Sequence, residues 1–172
     1  MRYGGASVKK TGRPSSLHFA PRLNPREEMP TDADLALDEF ISNLADVARR
    51  AEWSLVRFHE SHTDRSFELL GNGRVSPFTA KVSLTEKAFW GLTEAKAEEM
   101  VASGREQLLL LTSAKGGYFL SATVLRRLMP KFSRTEENAV RINPNIIKGE
   151  ARFADVEDAF ELLEKRSVAN AT

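Results

Sequence analysis

The residues around one glycine-rich turn have the types and spacing that phosphodiester chemistry requires. The turn Gly71-Asn72-Gly73 separates SFELL from RVSPFTAKVS, and its central Asn-Gly favours a two-residue β-hairpin loop. This loop sets a register in which Phe67 faces Phe78 and Asp64 faces Lys81. A carboxylate suits a hard cation such as Mg²⁺, and a neighbouring lysine can orient or deprotonate an attacking water. The pair is therefore the candidate catalytic centre.

The same register sorts the hairpin into an apolar face and a polar face. The apolar face suits packing against a helix, whereas the polar face presents hydroxyl, carboxylate and ammonium groups. A simpler interpretation stays open, in which Lys81 protects an exposed strand and Asp64 forms a surface ion pair with it. The apolar positions are Phe67, Leu69, Phe78, Ala80 and Val82, and the polar positions are Asp64, Ser66, Glu68, Thr79 and Lys81.

The elements that must position this hairpin follow from the periodicity of the apolar residues and from the turn signals. We predict one α/β (α+β) domain over residues 31–172, with a central mixed sheet flanked by helices. Helices are predicted at 33–52, 93–103, 123–129 and 155–166, and strands at 53–60, 66–70, 74–83, 107–112, 118–122 and 139–143.

Three features of the chain are informative together: the order of these elements, an amphipathic first helix, and a strand ending in TAK. In these features, about residues 33–125 resemble the restriction-endonuclease-like PD-(D/E)XK superfamily. The resemblance implies a nuclease-like core that acts on or binds DNA, with Mg²⁺ as the cofactor of an active site. It implies that Asp64 occupies the first acidic position, that Lys81 is the motif lysine, and that Glu39 supports the site from the first helix.

Thr79 departs from the superfamily pattern, because a carboxylate is expected at that position. Some members carry the missing carboxylate on the following helix, where Glu94 or Glu98 would supply it here. In that version, Asp64 and Glu94 hold the metal. Otherwise the site is degenerate, and the domain binds nucleic acid or a protein without cutting.

Two groups of basic residues are candidate phosphate contacts. Residues 1–30 are predicted to be a flexible basic arm that binds nucleic acid nonspecifically. The second group lies at the end of a predicted helix, where a solvated helix end is the alternative interpretation. The candidates are Lys9, Lys10, Arg13, Arg126 and Arg127.

Composition narrows the classes of protein. The absence of cysteine excludes disulfides, thiolate metal sites and cysteine nucleophiles, and fits a reducing cytoplasm. The net charge of +1 neither requires nor excludes nucleic acid. No apolar run reaches the length of a membrane span. We therefore expect a cytoplasmic DNA-associated protein with a nuclease-like core. The alternative is a non-catalytic nucleic-acid-binding or protein-interaction domain.

Overall fold

The computed structural model describes residues 29–57, 65–85, 87 and 89–170. The helices are α1 Asp32–Arg50, α2 Glu94–Ser103, α3 Ala122–Leu128, α4 Pro144–Ile147 and α5 Val156–Lys165, with a 3₁₀ turn at Met129–Lys131. The strands are β1 Ser54–Arg57, β2 Ser66–Gly71, β3 Arg74–Val82, β4 Trp90–Thr93, β5 Gln107–Leu111, β6 Gly117–Leu120, β7 Ser133–Arg134, β8 Ala139–Ile142, β9 Arg152–Phe153 and β10 Val168–Ala169.

Helix α1 begins with a capping box formed by Thr31 and Asp34. The Thr31 hydroxyl accepts a hydrogen bond from the Asp34 backbone N–H, and the Asp34 carboxylate accepts one from the Thr31 backbone N–H. This reciprocal arrangement satisfies donors that a helix start otherwise leaves without partners. The apolar stripe that follows buries Leu37, Phe40 and Leu44 against the sheet. The predicted first helix is confirmed within two residues at each end.

The central sheet has seven strands and is mixed, as predicted. Its order is β1-β2-β3-β5-β6-β9, with β10 also paired to β3. The β3–β5 pair is parallel, and the other pairs are antiparallel. The crossover between β3 and β5 contains α2, because parallel neighbours cannot be joined by a tight turn.

The hairpin has the predicted register. Ser66 pairs with Thr79 and Phe67 pairs with Phe78, and the Phe67 and Phe78 rings stack with their centroids 5.3 Å apart. The turn residue Asn72 has a φ of 52° and Gly73 has a φ of 68°. Two consecutive positive φ angles are the requirement of a type I′ turn, which explains why an Asn-Gly pair selects this register.

Helices cover both faces of the central sheet. One face carries Phe67, Phe78 and Ala80 and packs against α1 and α5. The opposite face carries Leu108 and Leu110, which belong to a second core with residues of α2 and α3. Both cores use the four leucines of β5, QLLLL, whose five residues are all buried.

A second, three-stranded sheet is a difference from the sequence prediction. Its order is β4-β8-β7, and Trp90 of β4 pairs with Ile142 of β8. The sequence predicted the 139–143 strand but no strand at Trp90. The pairing joins segments far apart in sequence, so the local pattern around Trp90 held no signal for it. None of the described helices is long and apolar enough to span a bilayer.

Candidate functional site

The polar face of the hairpin contains a hydroxyl pair in a buried position. Thr79 is fully buried, and its Oγ1 lies 3.0 Å from the Oγ of its cross-strand partner Ser66. The Thr79 hydroxyl donates a hydrogen bond of 2.5 Å to the Glu106 carboxylate, through Oε1. Because the Thr79 proton points to Glu106, Ser66 is the donor to Thr79. The three side chains form a directed chain of hydrogen bonds.

The carboxylate that contacts Thr79 belongs to Glu106. It lies directly before β5, and β5 runs parallel to β3 with Leu108 beside Thr79. The side chain of Glu106 is only 12% exposed. It borders a surface cavity of about 310 Å³ that Glu68 and Pro77 also line. Glu106 therefore combines a buried hydrogen bond with a route to solvent.

The second oxygen of Glu106 is held by a lysine of α2. Lys96 Nζ lies 3.1 Å from Glu106 Oε2 and 3.8 Å from Glu99 Oε2, and the Lys96 side chain is 14% exposed. Helix α2 begins after the N-cap Thr93 and ends at Gly104, which has a φ of 65°. Lys96 lies on the side of α2 that faces Glu106, and the chain continues from Gly104 to the start of β5. Glu106 is thus engaged by a hydroxyl on one oxygen and an ammonium on the other.

Lys81 lies on the same face of β3 as Thr79, because side chains two residues apart on a strand share a face. It is half-buried and its cross-strand neighbour on β5 is Leu110. Its predicted partner Asp64 lies outside the described residues. The backbone N–H of Ala80 donates to the Arg65 carbonyl at 3.1 Å, so the hairpin pairing extends to the residue next to Asp64.

Arg65 fixes the start of the hairpin to the first helix. Its guanidinium contacts Asp34 Oδ1 at 2.6 Å and Asp38 Oδ1 at 3.1 Å. Hydrogen bonds from the Thr31 hydroxyl and backbone N–H, with a further contribution from Arg65, lower the pKa of Asp34 below its usual value. The contacts to Arg65 hold the segment beside Asp64 against α1.

Among the described residues, the hydrogen bonds of the Thr79 side chain are with Ser66 and Glu106 and with none of the other predicted carboxylates. Glu94 is the first residue of α2 and forms an ion pair with Arg134. Glu98 is exposed on the same helix. Glu39 is exposed on α1, which packs on the opposite face of the sheet from Thr79.

Both described candidates for phosphate contact have partners within the protein. Arg126 donates a hydrogen bond of 2.7 Å to the Val101 carbonyl near the end of α2. Arg127 forms an ion pair with Glu150. Both remain exposed. The other three candidates, Lys9, Lys10 and Arg13, lie outside the described residues.

Sequence reasoning missed Glu106 and Lys96. The available signal was an acidic residue close before a run of four leucines, since a charge at such a position needs a partner. Within the described ranges, no group of three or more His, Cys, Asp or Glu side chains could hold a metal. Asp64, the predicted metal ligand, lies outside those ranges.

Comparisons with known proteins give a structural similarity but no family. No family model matches the chain, and no curated protein matches it. Among solved structures, the chain is similar to Archaeoglobus fulgidus Hjc, a Holliday junction resolvase from an archaeal hyperthermophile. The match has 16% sequence identity and a TM-score of 0.43, and covers 73% of this chain and 95% of the resolvase. It concerns the course of the chain and assigns neither a family nor an activity.

Proposed function

We propose that this chain is a cytoplasmic, DNA-associated protein with a nuclease-like core, and that the polar face of the β2–β3 hairpin is its site. The observation that carries the proposal is the hairpin register. Thr79 and Lys81 share one face of β3, and a carboxylate, that of Glu106, contacts Thr79. A carboxylate and a lysine on one face of a sheet are suited to holding a cation and orienting a water for attack on a phosphodiester.

The first version of this function is phosphodiester cleavage. Lys81 would orient the attacking water, and Asp64 would provide a carboxylate from the neighbouring strand. Asp64 with Glu106, or with Glu94 as the sequence resemblance implies, would hold Mg²⁺, and Glu39 would support the site from α1. Mg²⁺ would supply charge stabilisation of the phosphate oxygens and a more acidic water.

The described donors fit a metal only if existing contacts are released. Glu106 has both oxygens engaged, by Thr79 and by Lys96. Glu94 would have to leave Arg134. An ammonium 3.1 Å from the carboxylate already neutralises its charge, so a divalent cation at the same oxygen would meet electrostatic repulsion.

This contact favours a second version of the function, in which the domain binds DNA without cutting it. Hydroxyls occupy the two paired hairpin positions, Ser66 and Thr79, and Lys96 serves as an internal cation for Glu106. The polar face would then contact phosphates through Lys81, and the basic arm with Lys9, Lys10 and Arg13 would add nonspecific contacts. Arg126 and Arg127 would contribute through their exposed surface.

A cleavage and binding assay distinguishes the two versions. Supercoiled plasmid and end-labelled single strands are incubated with the full chain and Mg²⁺ or Mn²⁺. The variants are Asp64→Asn, Lys81→Ala and Glu106→Gln, and Glu161→Gln on α5 is the control because that side chain is exposed on the other side of the sheet. The cleavage version predicts that the first three variants lose at least a hundredfold in rate while the control is unchanged.

The other outcomes are equally informative. Cleavage at the same rate in all variants would refute the assigned site. Binding without cleavage, weakening as salt is raised, supports the non-catalytic version. The arm proposal predicts that deletion of residues 1–30 lowers the salt dependence of binding. Neither binding nor cleavage would refute DNA association and leave a protein-interaction domain as the alternative.

A further inference from the structure

The three-stranded sheet β4-β8-β7 has an outer face that no described element covers. Its inner side chains, which include Trp90 and Ile142, are buried in the second core. The alternating positions point outward, and one cross-strand row consists of Gly91, Arg141 and Ser133. All three members of that row are exposed. The small sheet thus presents this row to solvent.

An aromatic ring and a guanidinium stack at the edge of this surface. The guanidinium carbon of Arg141 lies 3.9 Å from the centroid of the Phe89 ring, which is a cation–π distance. Phe89 is 45% exposed. Gly91 leaves room beside them, because a Cβ added there would meet nothing within 4 Å. Both members of the Phe89–Arg141 stack are exposed, so a second planar group can reach them from solvent.

Two lysines lie close to this surface along the chain. Besides Arg141, Lys131 lies two residues before Ser133 and Lys87 lies two residues before Phe89, and Lys131 and Lys87 are both exposed. Within the part of the chain that the structure describes, Arg141 has the Phe89 ring as its partner and no carboxylate. The nearby acidic residues 136–137 lie in the turn at the opposite end of the β7–β8 hairpin.

A planar group and a negative charge define the chemistry of a ligand for this surface. Nucleotides combine both, since each base has a π face and each phosphate a charge. In a duplex the base faces are stacked on one another, whereas in a single strand they are free to stack on protein side chains. The surface therefore suits an unpaired strand better than a duplex.

We propose that the outer face of the small sheet binds single-stranded DNA. A base stacks on the Phe89–Arg141 pair, and the flanking phosphates contact Lys87 and Lys131. The inference rests on the proposed DNA association and adds to it the form of nucleic acid and a second contact surface.

Fluorescence anisotropy of the full chain tests this surface with three labelled probes: a short oligo(dT), an abasic strand of the same length, and a duplex of the same length. The wild type is expected to bind oligo(dT) more tightly than either of the other two. Phe89→Ala should weaken oligo(dT) binding about tenfold, the usual loss for one stacked base. The same variant should leave binding of the abasic strand unchanged, because phosphate contacts remain.

Matched variants separate stacking from general loss of apolar surface. Leu84→Ala removes another exposed apolar side chain, 43% exposed against 45% for Phe89, and should bind as the wild type does. Phe89→Leu should lose most of the affinity that Phe89→Ala loses, since only the aromatic face stacks. Arg141→Gln should weaken both oligo(dT) and abasic binding. Thermal melts of each variant check that the fold is retained.

Several results would overturn the proposal. Equal binding of oligo(dT) and the abasic strand would show that no base is stacked. Binding of oligo(dT) that is unaffected by Phe89→Ala would place the strand elsewhere and leave DNA association intact. Tighter binding of an oligo(U) RNA strand of the same length, measured as a fourth probe, would refute the choice of DNA. Failure to bind any probe would refute the proposed function itself, together with this surface.

Discussion

Lys96→Met tests whether the ammonium group is the cation that the buried carboxylate of Glu106 requires. Methionine retains much of the apolar stem of lysine and removes its charge. Lys96 and Glu106 are 14% and 12% exposed, and their charged atoms are 3.1 Å apart. Without Lys96, Glu106 keeps the hydrogen bond from Thr79 but has no neutralising partner at Oε2.

The expected loss follows from the burial of the pair. Removing one partner of a fully buried pair costs about 3–5 kcal/mol, because an uncompensated charge stays inside. The residual exposure of Glu106 and its contact with Thr79 make the cost smaller than for a fully buried pair. We therefore expect a loss of about 2–3 kcal/mol in the free energy of unfolding. The double variant Lys96→Met/Glu106→Gln, which removes both charges, should recover about 1 kcal/mol.

Urea unfolding followed by circular dichroism measures these differences. Lys165→Met is the control, because Lys165 and Glu161 form an exposed pair at 71% and 66% side-chain exposure. Such a pair contributes less than about 0.5 kcal/mol. If Lys96→Met and Lys165→Met lose the same free energy of unfolding, Lys96 is not the cation that Glu106 requires. The same follows if the double variant is less stable than Lys96→Met alone.

Three further changes test other parts of the fold. Hydrogen bonds from Thr31 are the chief cause of the lowered pKa of Asp34, so the ionised carboxylate stabilises the fold above about pH 3.9, and this stabilisation is lost as the pH falls through the folded-state pKa. Asp34→Asn should lower the melting temperature at pH 6, and the melting temperature of the variant should fall less than that of the wild type between pH 5 and 3. An equal fall in the two proteins would contradict this. Gly71→Ala should cost about 1–3 kcal/mol in urea unfolding, because the new Cβ would lie 2.3 Å from the Trp53 ring; a wild-type midpoint would refute that close approach. Gly104→Ala should cost about 1–2 kcal/mol, because the φ of 65° disfavours a Cβ although space is open around it; a gain in stability would contradict the left-handed cap.

Local signals were sufficient to predict the hairpin and the helices that flank it. The Asn-Gly turn fixes a register by its own backbone geometry, and the pairing of Phe67 with Phe78 confirms it. The capping residue Thr31 and the C-cap Gly104 likewise act on adjacent residues. Each of these features is determined within a few positions along the chain, where sequence patterns are informative.

The carboxylate beside Thr79 could not be predicted in the same way. The following helix was the expected source, but Glu94 is paired with Arg134 and the contact comes from Glu106 at the start of β5. Which glutamate reaches Thr79 depends on the parallel pairing of β3 with β5 and on the length of α2. These are tertiary features that a single-sequence pattern does not specify.

Two strands pair with different parts of the same edge of β3. β5 pairs with residues 78–82 and β10 pairs with residues 74–75. The β10 segment is held by a 2.6 Å hydrogen bond from Arg74 to the Ser167 carbonyl and a 2.9 Å bond from the Asn170 N–H to the Gly73 carbonyl. An open strand edge is a template for pairing with another chain. A chain lacking residues 168–170 would expose that edge and should form dimers or larger aggregates through the hairpin.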